Sequence, residues 1–581
     1  MAEAIRRLNT AANSLLSRGP DLLRHAPALT LALFLLPIGA GLVGTWLPAF
    51  GYLPALGGTS FSLAPWQHLL EHPVLPGALR LTLVSGLVAS TASLAIVLAF
   101  VAACHETKLF LRLRRALAPV LAVPHVAIAI GLAFLIAPSG WLARLVSPWA
   151  TGWSTPPDLA IVPDPNGLAL ALGLMVKEVP FLLLMTLAAL NQARARERMA
   201  VARSLGYGPA VGWLKTVLPA VYAQIRLPVY AVIAYSLSVV DMAMVLAPAT
   251  PPPLAVLVVR WFNDPDLAMR FQAAAGAVVQ LGLVVLVIGI WNLLERVVMR
   301  LGRRWIIVGG RGGDGRAARL AAGGAMSLVF LVSGLCVLVL GLWSLAGRWR
   351  YPEPLPSRVG LETWMRHADG LSWATGTTLI AGMASAAVAL ALVLACLENE
   401  QRHGLRTTNR ILWLLYTPLL VPQVAFLFGF QVIAVRAGID GAWLTLIWSH
   451  VLFVLPYVFL SLADPYRALD ERYARAALCL GAAPNRVFWR VKLPMLLRPI
   501  LIAFAVGFAV SVAQYLPTIF AGAGRFMTLT SEAVALSGGG DRRVMGVYAF
   551  LQALLPLIAF ALAFALPAWL FRHRQALRRA A

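Results

Sequence analysis

The stretch Ala200–Pro219 reads AVARSLGYGPAVGWLKTVLP, and the stretch Arg475–Pro494 reads RAALCLGAAPNRVFWRVKLP. In both, a glycine stands six residues after the first residue, and Leu-Pro follows twelve and thirteen residues after that glycine. Gly206 and Gly481 can end a short helix, because glycine adopts a positive φ at little steric cost. The shared spacing therefore predicts, twice in one chain, a short helix, a glycine stop and a second short helix that leads to a Leu-Pro corner.

Both stretches lie between long apolar runs. The chain has 581 residues, of which 60% are hydrophobic and 12% are charged, whereas soluble domains are about 45–50% apolar and about 25% charged. This composition excludes a soluble globular enzyme, a coiled coil and a disordered chain, and it leaves a polytopic membrane protein. The formal net charge of +24 could indicate a nucleic-acid partner, but the charges stand between the apolar runs, so we expect no nucleic acid.

Twelve apolar runs are long enough to cross a bilayer, which requires about 20 residues. The first follows a basic leader but lacks a clear cleavage site, so we predict an uncleaved span. Lysine and arginine are concentrated in alternate connecting segments, starting with the N-terminal one, which predicts that both termini are cytoplasmic. The predicted spans are 27–48, 79–103, 117–137, 168–190, 226–247, 272–294, 325–346, 374–397, 411–434, 443–463, 498–518 and 547–570.

The second set of six spans repeats features of the first. Thr82 precedes Pro124 by 42 residues, and Thr378 precedes Pro422 by 44 residues. Both prolines are expected to kink their spans. We predict an all-α polytopic fold with two parallel six-helix repeats and a pathway between them. The predicted parts are a first repeat at 1–294, a flexible cytoplasmic linker rich in glycine and arginine at 295–324, and a second repeat at 325–581.

The two loops resemble those of the permease subunits of binding-protein-dependent ABC importers. The family's motif is EAA, three residues, Gly, nine residues and I-x-L-P, and the Gly and Leu-Pro spacing matches in both halves. The fused two-permease layout resembles that of ferric-iron and thiamine importers, and the sequence SVAQYLPTIFAGAGR from Ser511 is most similar to thiamine-type permeases. The resemblance implies the type-I ABC importer permease fold and a transporter subunit without a cofactor, rather than an enzyme.

The resemblance also implies which residues couple to an ATPase. The motif glutamate is replaced by Ala200 and Arg475, and nearby Glu197 and Glu471 are candidates to pair with a partner instead. The coupling candidates are Ala200, Val201, Ala202, Gly206, Leu218 and Pro219 in the first loop, and Arg475, Ala476, Ala477, Gly481, Leu493 and Pro494 in the second.

The implied partners are two copies of a separate ABC ATPase, a periplasmic solute-binding protein and membrane lipid, in a bacterial inner membrane. A separate ATPase is required because a P-loop needs G-x-x-x-x-G-K-[ST]. The chain has only four lysines, and none of them follows a glycine.

Ionisable residues within spans are candidates for the solute pathway, because charge is costly in a bilayer. Lys177 and Glu178 are adjacent in span 4; they either neutralise each other or act in transport. Asp241 in span 5 corresponds to Gln514 in span 11. These two either face each other across the pathway or make hydrogen bonds between helices.

Two motifs for other chemistry are set aside. The segment His68–His72 fits the zinc-peptidase pattern H-x-x-E-H, but Pro73 follows it directly, so we expect an amphipathic helix on the outer surface. The segment Gly310–Gly315 fits G-x-G-x-x-G after the strand-like Trp305–Val308, but a dinucleotide site needs a βαβ unit that does not fit before span 7. The four cysteines form no CxxC pair, and no metal site or catalytic residue is expected.

Two other functions remain open from the residues alone. The runner-up is a secondary transporter driven by an ion gradient, in which Asp241 and the Lys177–Glu178 pair handle protons. A polytopic membrane enzyme is the third class, although no catalytic cluster supports it. The solute is also open, because thiamine-like organic cations, ferric iron and other small solutes all fit.

Overall fold

The computed structural model describes residues 22–105, 107–313, 315–405 and 409–572. Within these ranges the chain contains helices, turns and two isolated β-bridges, but no strand. Ten helices are long and apolar enough to cross a membrane, and the number rises to twelve if each of two bent helix pairs is one span. The prediction of an all-α polytopic membrane protein is confirmed.

The helices of the first half, which we define as the chain up to residue 307, are α1 (Ala26–Ala49), α2 (Ala64–Glu71), α3 (Leu75–Cys104), α4 (Lys108–Ala122), α5 (His125–Ile136), α6 (Trp141–Val146), α7 (Leu168–Gln192), α8 (Ala195–Ser204), α9 (Pro209–Thr216), α10 (Leu218–Ser238), α11 (Asp241–Leu246), α12 (Leu254–Phe262) and α13 (Met269–Ile307).

The helices of the second half, from residue 316 onward, follow a similar order. They are α14 (Arg316–Leu345), α15 (Glu362–Arg366), α16 (Ala368–Arg402), α17 (Asn409–Leu420), α18 (Val424–Arg436), α19 (Trp443–Arg467), α20 (Glu471–Cys479), α21 (Pro484–Val487), α22 (Leu493–Met495), α23 (Leu497–Val512), α24 (Leu516–Gly522), α25 (Leu529–Leu536) and α26 (Arg542–Leu570).

Spans 3 and 9 are broken, whereas a kink was predicted. In the first half α4 ends before Pro124, which caps the N-terminus of α5, and Val123 is extended. In the second half the helix stops before Pro422 and resumes at α18, with an angle of 92° between the two pieces. Proline cannot donate the helical hydrogen bond, and it disfavours helical backbone in the residue before it. The correction is that each of these spans is two separate helices.

Spans 5 and 11 are also interrupted, although no proline stands at the point where their first helix ends. Helix α10 ends at Ser238 and α11 begins at Asp241, while α23 ends at Val512 and α24 begins at Leu516. Asp241 is therefore the first residue of a short helix, and Gln514 lies in the gap between two helices. Irregular backbone at membrane depth is tolerated where it is buried in protein or lines a cavity.

Helices occupy most of the segment 295–324 that was predicted to be a flexible linker. Helix α13 continues to Ile307, through the stretch predicted to be strand-like, and α14 begins at Arg316. Leucine, arginine and methionine are good helix formers, so the helix runs until the glycine-rich residues that follow Val308. Only 308–315 connects the two halves, and we call this segment the connector.

The first long helix of each half packs against the other half. Helix α1 crosses α18 so closely that a Cβ on Gly429 would lie 1.9 Å from the carbonyl oxygen of Gly41. Helix α14 crosses α5 in the same way, since a Cβ on Gly131 would lie 2.6 Å from the carbonyl oxygen of Cys336. Small residues allow such close backbone approach between membrane helices. These two crossings interlock the halves.

Candidate functional site

The first loop forms the predicted pair of short helices, α8 and α9, on either side of Gly206. Gly206 has a φ of +80°, and its amide donates to the carbonyl of Arg203 at 2.9 Å. The next amide, that of Tyr207, donates to the carbonyl of Ala202 at 3.0 Å. This pair of bonds is the Schellman motif, which satisfies carbonyls at the end of a helix.

The second loop ends its first helix in the same way. Gly481 has a φ of +83° and donates to Leu478 at 3.0 Å, while Ala482 donates to Ala477 at 3.1 Å. Ala202 and Ala477 are the equivalent third residues of the two stretches, and each accepts the longer-range bond. The prediction that both glycines stop a helix with a positive φ is confirmed, and it gives a physical reason for the spacing from alanine to glycine.

The outer faces of both first helices are exposed and partly apolar. In the first loop Ala200 is exposed, Val201 is 61% exposed and Ala202 faces inward at 1% exposure. In the second, Leu480 is 88% exposed, and Arg475, Ala476 and Gly481 are exposed while Ala477 is half-buried. Exposed apolar patches on a folded protein mark interaction surfaces. The Leu-Pro corners lie at 218–219 and 493–494, where α10 and α22 begin.

The glutamates beside the two stretches have partners three or four residues away in the chain. Glu197 lies 3.9 Å from Arg194, and Glu471 lies 3.6 Å from Arg475, with all four side chains largely exposed. Exposed ion pairs of this kind contribute little to stability, so both carboxylates stay accessible to another protein.

Both loops lie at one end of the helix bundle, which we call the loop end. Lys215 of α9 donates to the carbonyl of Val308 at 2.7 Å, directly after α13 ends. Helices α14 and α16 then each run the length of a membrane span. The end of α16 contacts the second loop, where Lys492 donates to Glu398 at 2.7 Å. The chain therefore runs away from the first loop along α14 and comes back along α16, so the second loop lies at the same end of the bundle as the first.

A cavity of about 1240 Å³ separates the two halves and extends toward the loop end. It is lined by both halves, and at its loop-end limit by Asn191 and Arg194, which stand just before α8. Asp241 and Gln514 both line it, as do the tyrosines Tyr235, Tyr416, Tyr457 and Tyr515. The structure therefore brings the two predicted pathway residues into one chamber.

The carboxylate of Asp241 faces this cavity without a cationic partner among the described residues. One oxygen, Oδ1, accepts a hydrogen bond from the amide of Met242 at 2.9 Å. Tyr235 and Tyr515 line the same cavity, and the buried hydroxyl of Tyr235 has no hydrogen-bond partner in the described part of the chain. These groups are free to bind a molecule in the cavity.

Lys177 and Glu178 do not neutralise each other. The Lys177 ammonium donates to the carbonyl of Val123 at 2.5 Å and to that of Leu121 at 3.3 Å. A cation is favourable there because carbonyl groups at a helix C-terminus carry partial negative charge. Glu178 instead accepts from Ser93 at 3.2 Å and from Ser236, which joins α7 to α3 and α10. Both residues also line the cavity.

The sequence reading missed two buried glutamates, Glu295 and Glu398, which come directly after predicted spans 6 and 8. Glu295 accepts from Arg226 and from the Tyr222 hydroxyl, both at 2.7 Å. Glu398 accepts from Lys492 at 2.7 Å and from other donors described below. An acidic residue at the end of an apolar run was an available signal, since the chain has only 24 acidic residues.

The two motifs set aside from the sequence have no ligand geometry. Helix α2 ends at Glu71, and His72 accepts a bond from the amide of Val74 at 3.3 Å. In the part of the chain that the structure describes, no three His, Cys, Asp or Glu side chains lie close enough together to hold a metal ion. The stretch before Gly310 is the end of a helix, not of a strand.

Comparisons with known proteins match this chain to membrane components of transport systems. Residues 387–573 match the family model described as the binding-protein-dependent transport system inner membrane component. The chain is 35% identical over 525 residues to the inner membrane ABC transporter permease protein YnjC of Escherichia coli (strain K12), covering 89% of this chain and 93% of that protein.

Two shorter similarities involve proteins with named solutes. The chain is 30% identical over 151 residues to the putrescine transport system permease protein PotI of Escherichia coli (strain K12), which is 25% of this chain and 54% of that protein. It is 33% identical over 152 residues to the molybdenum transport system permease protein ModB of Mycobacterium tuberculosis (strain ATCC 25618 / H37Rv), which is 25% of this chain and 57% of that protein.

Proposed function

The chain belongs to the family of binding-protein-dependent ABC transporter permeases, and we propose that it forms the whole solute pathway of an ATP-driven importer. The observation that carries the proposal is the cavity of about 1240 Å³ between the halves, which extends to the end where both loops lie. The same family relationship favours this function over a secondary transporter driven by an ion gradient. The repeats 1–294 and 325–581 supply the two walls of the pathway.

The two loops are the docking sites for two copies of a separate ATPase subunit. Their exposed apolar side chains, such as Val201 in α8 and Leu480 just after α20, fit a groove on such a subunit. Closure of the ATPase dimer on ATP draws the loops together. Because α10 and α23 follow the loops and line the cavity, this movement closes the loop end and opens the other end. The coupling residues of both loops act in this contact.

The loop end is cytoplasmic, and both termini are on that side. The concentration of arginine and lysine in the segments at this end supports the orientation, because basic segments are retained in the cytoplasm. A periplasmic solute-binding protein delivers the solute at the opposite end, in the inner membrane of a bacterium. The chain itself performs no ATP chemistry, because it lacks the lysine-containing phosphate loop.

The solute passes between Asp241 of one half and Gln514 of the other. Both line the cavity beside an interrupted span, where the backbone is irregular. Lys177 and Glu178 shape the wall of the first half, since their hydrogen bonds hold the broken span 3 and join three helices.

Site-specific crosslinking tests the docking proposal. Cysteine is introduced in place of Val201 or Leu480, and exposed Cys479 is replaced by alanine. A thiol crosslinker applied in native membranes should join each variant to a protein that mass spectrometry identifies as a P-loop ATPase. The control is a cysteine at exposed Trp149. If neither Val201→Cys nor Leu480→Cys forms the ATPase adduct, although both react with maleimide as readily as Trp149→Cys, the proposal is contradicted.

A further inference from the structure

Glu398, near the end of α16, joins the second loop to two membrane-spanning helices. The side chain is only 2% exposed. Its Oε2 accepts from the Lys492 ammonium at 2.7 Å and from the Tyr466 hydroxyl, and its Oε1 accepts from Arg402 at 2.7 Å. Lys492 belongs to the loop and Tyr466 to α19. One buried carboxylate therefore connects the loop, α16 and α19.

The loop is fixed to the end of α16 at further points. Lys492, 6% exposed, also donates to the side chain of Gln401 at 2.8 Å. Arg402 reaches out to Asn485 at 3.0 Å. Lys492 closes a π-helical turn, Phe488–Lys492, and such turns are frequent at functional sites. These bonds attach the loop to the end of α16.

The first loop has a different attachment. Thr82 and Thr378 are equivalent by spacing, and twenty residues later the first half has Ala102 where the second has Glu398. Lys215 of the first loop donates instead to connector carbonyls, those of Val308 at 2.7 Å and Gly310 at 3.1 Å. The first half therefore has no carboxylate at the position of Glu398, and its buried Glu295 pairs instead with Arg226 of α10.

We propose that Glu398 is a positioning residue that transmits movement of the second loop to α16 and α19 through Lys492 and Tyr466. The proposal rests on the ATPase coupling proposed above. A charged hydrogen bond in a low-dielectric site is stronger than a neutral one in water, and breaking it would leave a charge buried without a partner. Loop and helices consequently move as one body when the loop is pulled.

The test separates ATP hydrolysis from closure of the cavity. Ser461 of α19 lines the cavity, so Ser461→Cys is labelled with a membrane-impermeant maleimide in inside-out vesicles containing the chain and its co-purified ATPase. The exposed Cys479 is replaced by alanine. In the parent variant, ATP with vanadate should slow labelling by about tenfold, a typical size for coupling between two sites.

Three further variants, each made in the Ser461→Cys background, locate the joint. Glu398→Gln leaves Lys492 buried without its ion pair and could misfold, so the charge-free double variant Glu398→Gln/Lys492→Met is made beside it. Both should hydrolyse ATP at the parent rate, but the introduced thiol should lose its protection from the maleimide. The reversed pair Glu398→Lys/Lys492→Glu, made together with Arg402→Gln because Arg402 would otherwise repel the introduced lysine, should regain at least half of the protection. Asp541→Asn, which removes an exposed carboxylate paired with Arg543 at 2.8 Å, is the control and should behave as the parent.

Each outcome decides one of the two proposals. Full protection in the charge-free double variant overturns the role of Glu398 and leaves the importer function intact. Parent vesicles that hydrolyse ATP without any protection of the cavity overturn the coupling function itself, and the joint with it.

Discussion

The backbone amide of Leu254 donates a 2.9 Å hydrogen bond to the side-chain oxygen of Thr82. The same bond, also 2.9 Å long, joins Leu529 to Thr378 in the second half. Each threonine donates in turn to a carbonyl one turn earlier in its own helix. In both halves this contact fixes the start of a short helix to the second long helix of that half. The pairs are α12 with α3 and α25 with α16.

Replacing either threonine with valine should lower stability, because it leaves a buried amide unsatisfied at a cost of about 1–3 kcal/mol. The measurement is the apparent Tm of Thr82→Val and Thr378→Val in detergent. Thr91→Val is the matched control, since Thr91 is exposed on the same helix as Thr82 and bonds only to carbonyls of its own helix. An equal loss in the control would show that the contact between helices is not the cause.

The crossing of α1 and α18 should not tolerate a side chain at Gly429. A Cβ there would lie 1.9 Å from the carbonyl oxygen of Gly41, which is backbone and cannot rotate away. Gly429→Ala should therefore reduce the yield of folded chain or its apparent Tm, measured by fluorescence-detected gel filtration. Gly39→Ala, on α1 with no atom within 4 Å of its added Cβ, should be neutral. Equal behaviour of the two variants would contradict the crossing.

The helix stop in the second loop should require glycine. Gly481 has a φ of +83° and open space around it, so Gly481→Ala adds only backbone strain, about 1–2 kcal/mol. Co-purification with the ATPase should fall, and Gly206→Val with Gly481→Val should abolish ATP-dependent uptake while membrane insertion persists. Gly404→Ala is the control, because Gly404 has a φ of +62° and open space but lies outside both loops. Normal uptake in the double variant would refute the role of the stops.

Removing the charge of Asp241 should impair transport but not assembly. Asp241→Asn preserves size and an oxygen for the bond from Met242. We expect uptake of the compound retained by the binding protein to fall by about tenfold, equivalent to about 1.4 kcal/mol of lost interaction, with normal binding of the ATPase. Asp369→Asn, in an exposed position on α16, should transport normally. Unchanged uptake in Asp241→Asn would remove this residue from the pathway.

The local features of this fold were predictable from sequence. Apolar runs locate the spans because a bilayer demands about 20 such residues, and the glycine spacing predicts both helix stops because the Schellman motif involves only neighbouring residues. The breaks at Pro124 and Pro422 were located correctly, but their extent was underestimated. Proline marks where a helix is weakened, while the angle depends on the packing around it.

Features that depend on distant residues were not predictable. The break before Asp241 has no proline at that point, and the partners of Lys177 lie 54 and 56 residues away. Glu398 and Lys492 are 94 residues apart, so only the folded chain shows that they pair. The segment 295–324 was predicted to be flexible because it is rich in glycine and arginine, yet most of it is helical and the amide of Gly208 bonds to the carbonyl of Arg311 at 2.8 Å.

Native mass spectrometry of the complex purified through a tag on this chain tests the central claim, that the two loops dock ATPase subunits. One 62.4 kDa chain should carry two copies of a P-loop ATPase, and the variant with Val201→Asp and Leu480→Asp should lose both copies while remaining folded. The account would be contradicted if the double variant kept both copies. It would also be contradicted if the parent chain purified without any ATPase from cells that express the ATPase.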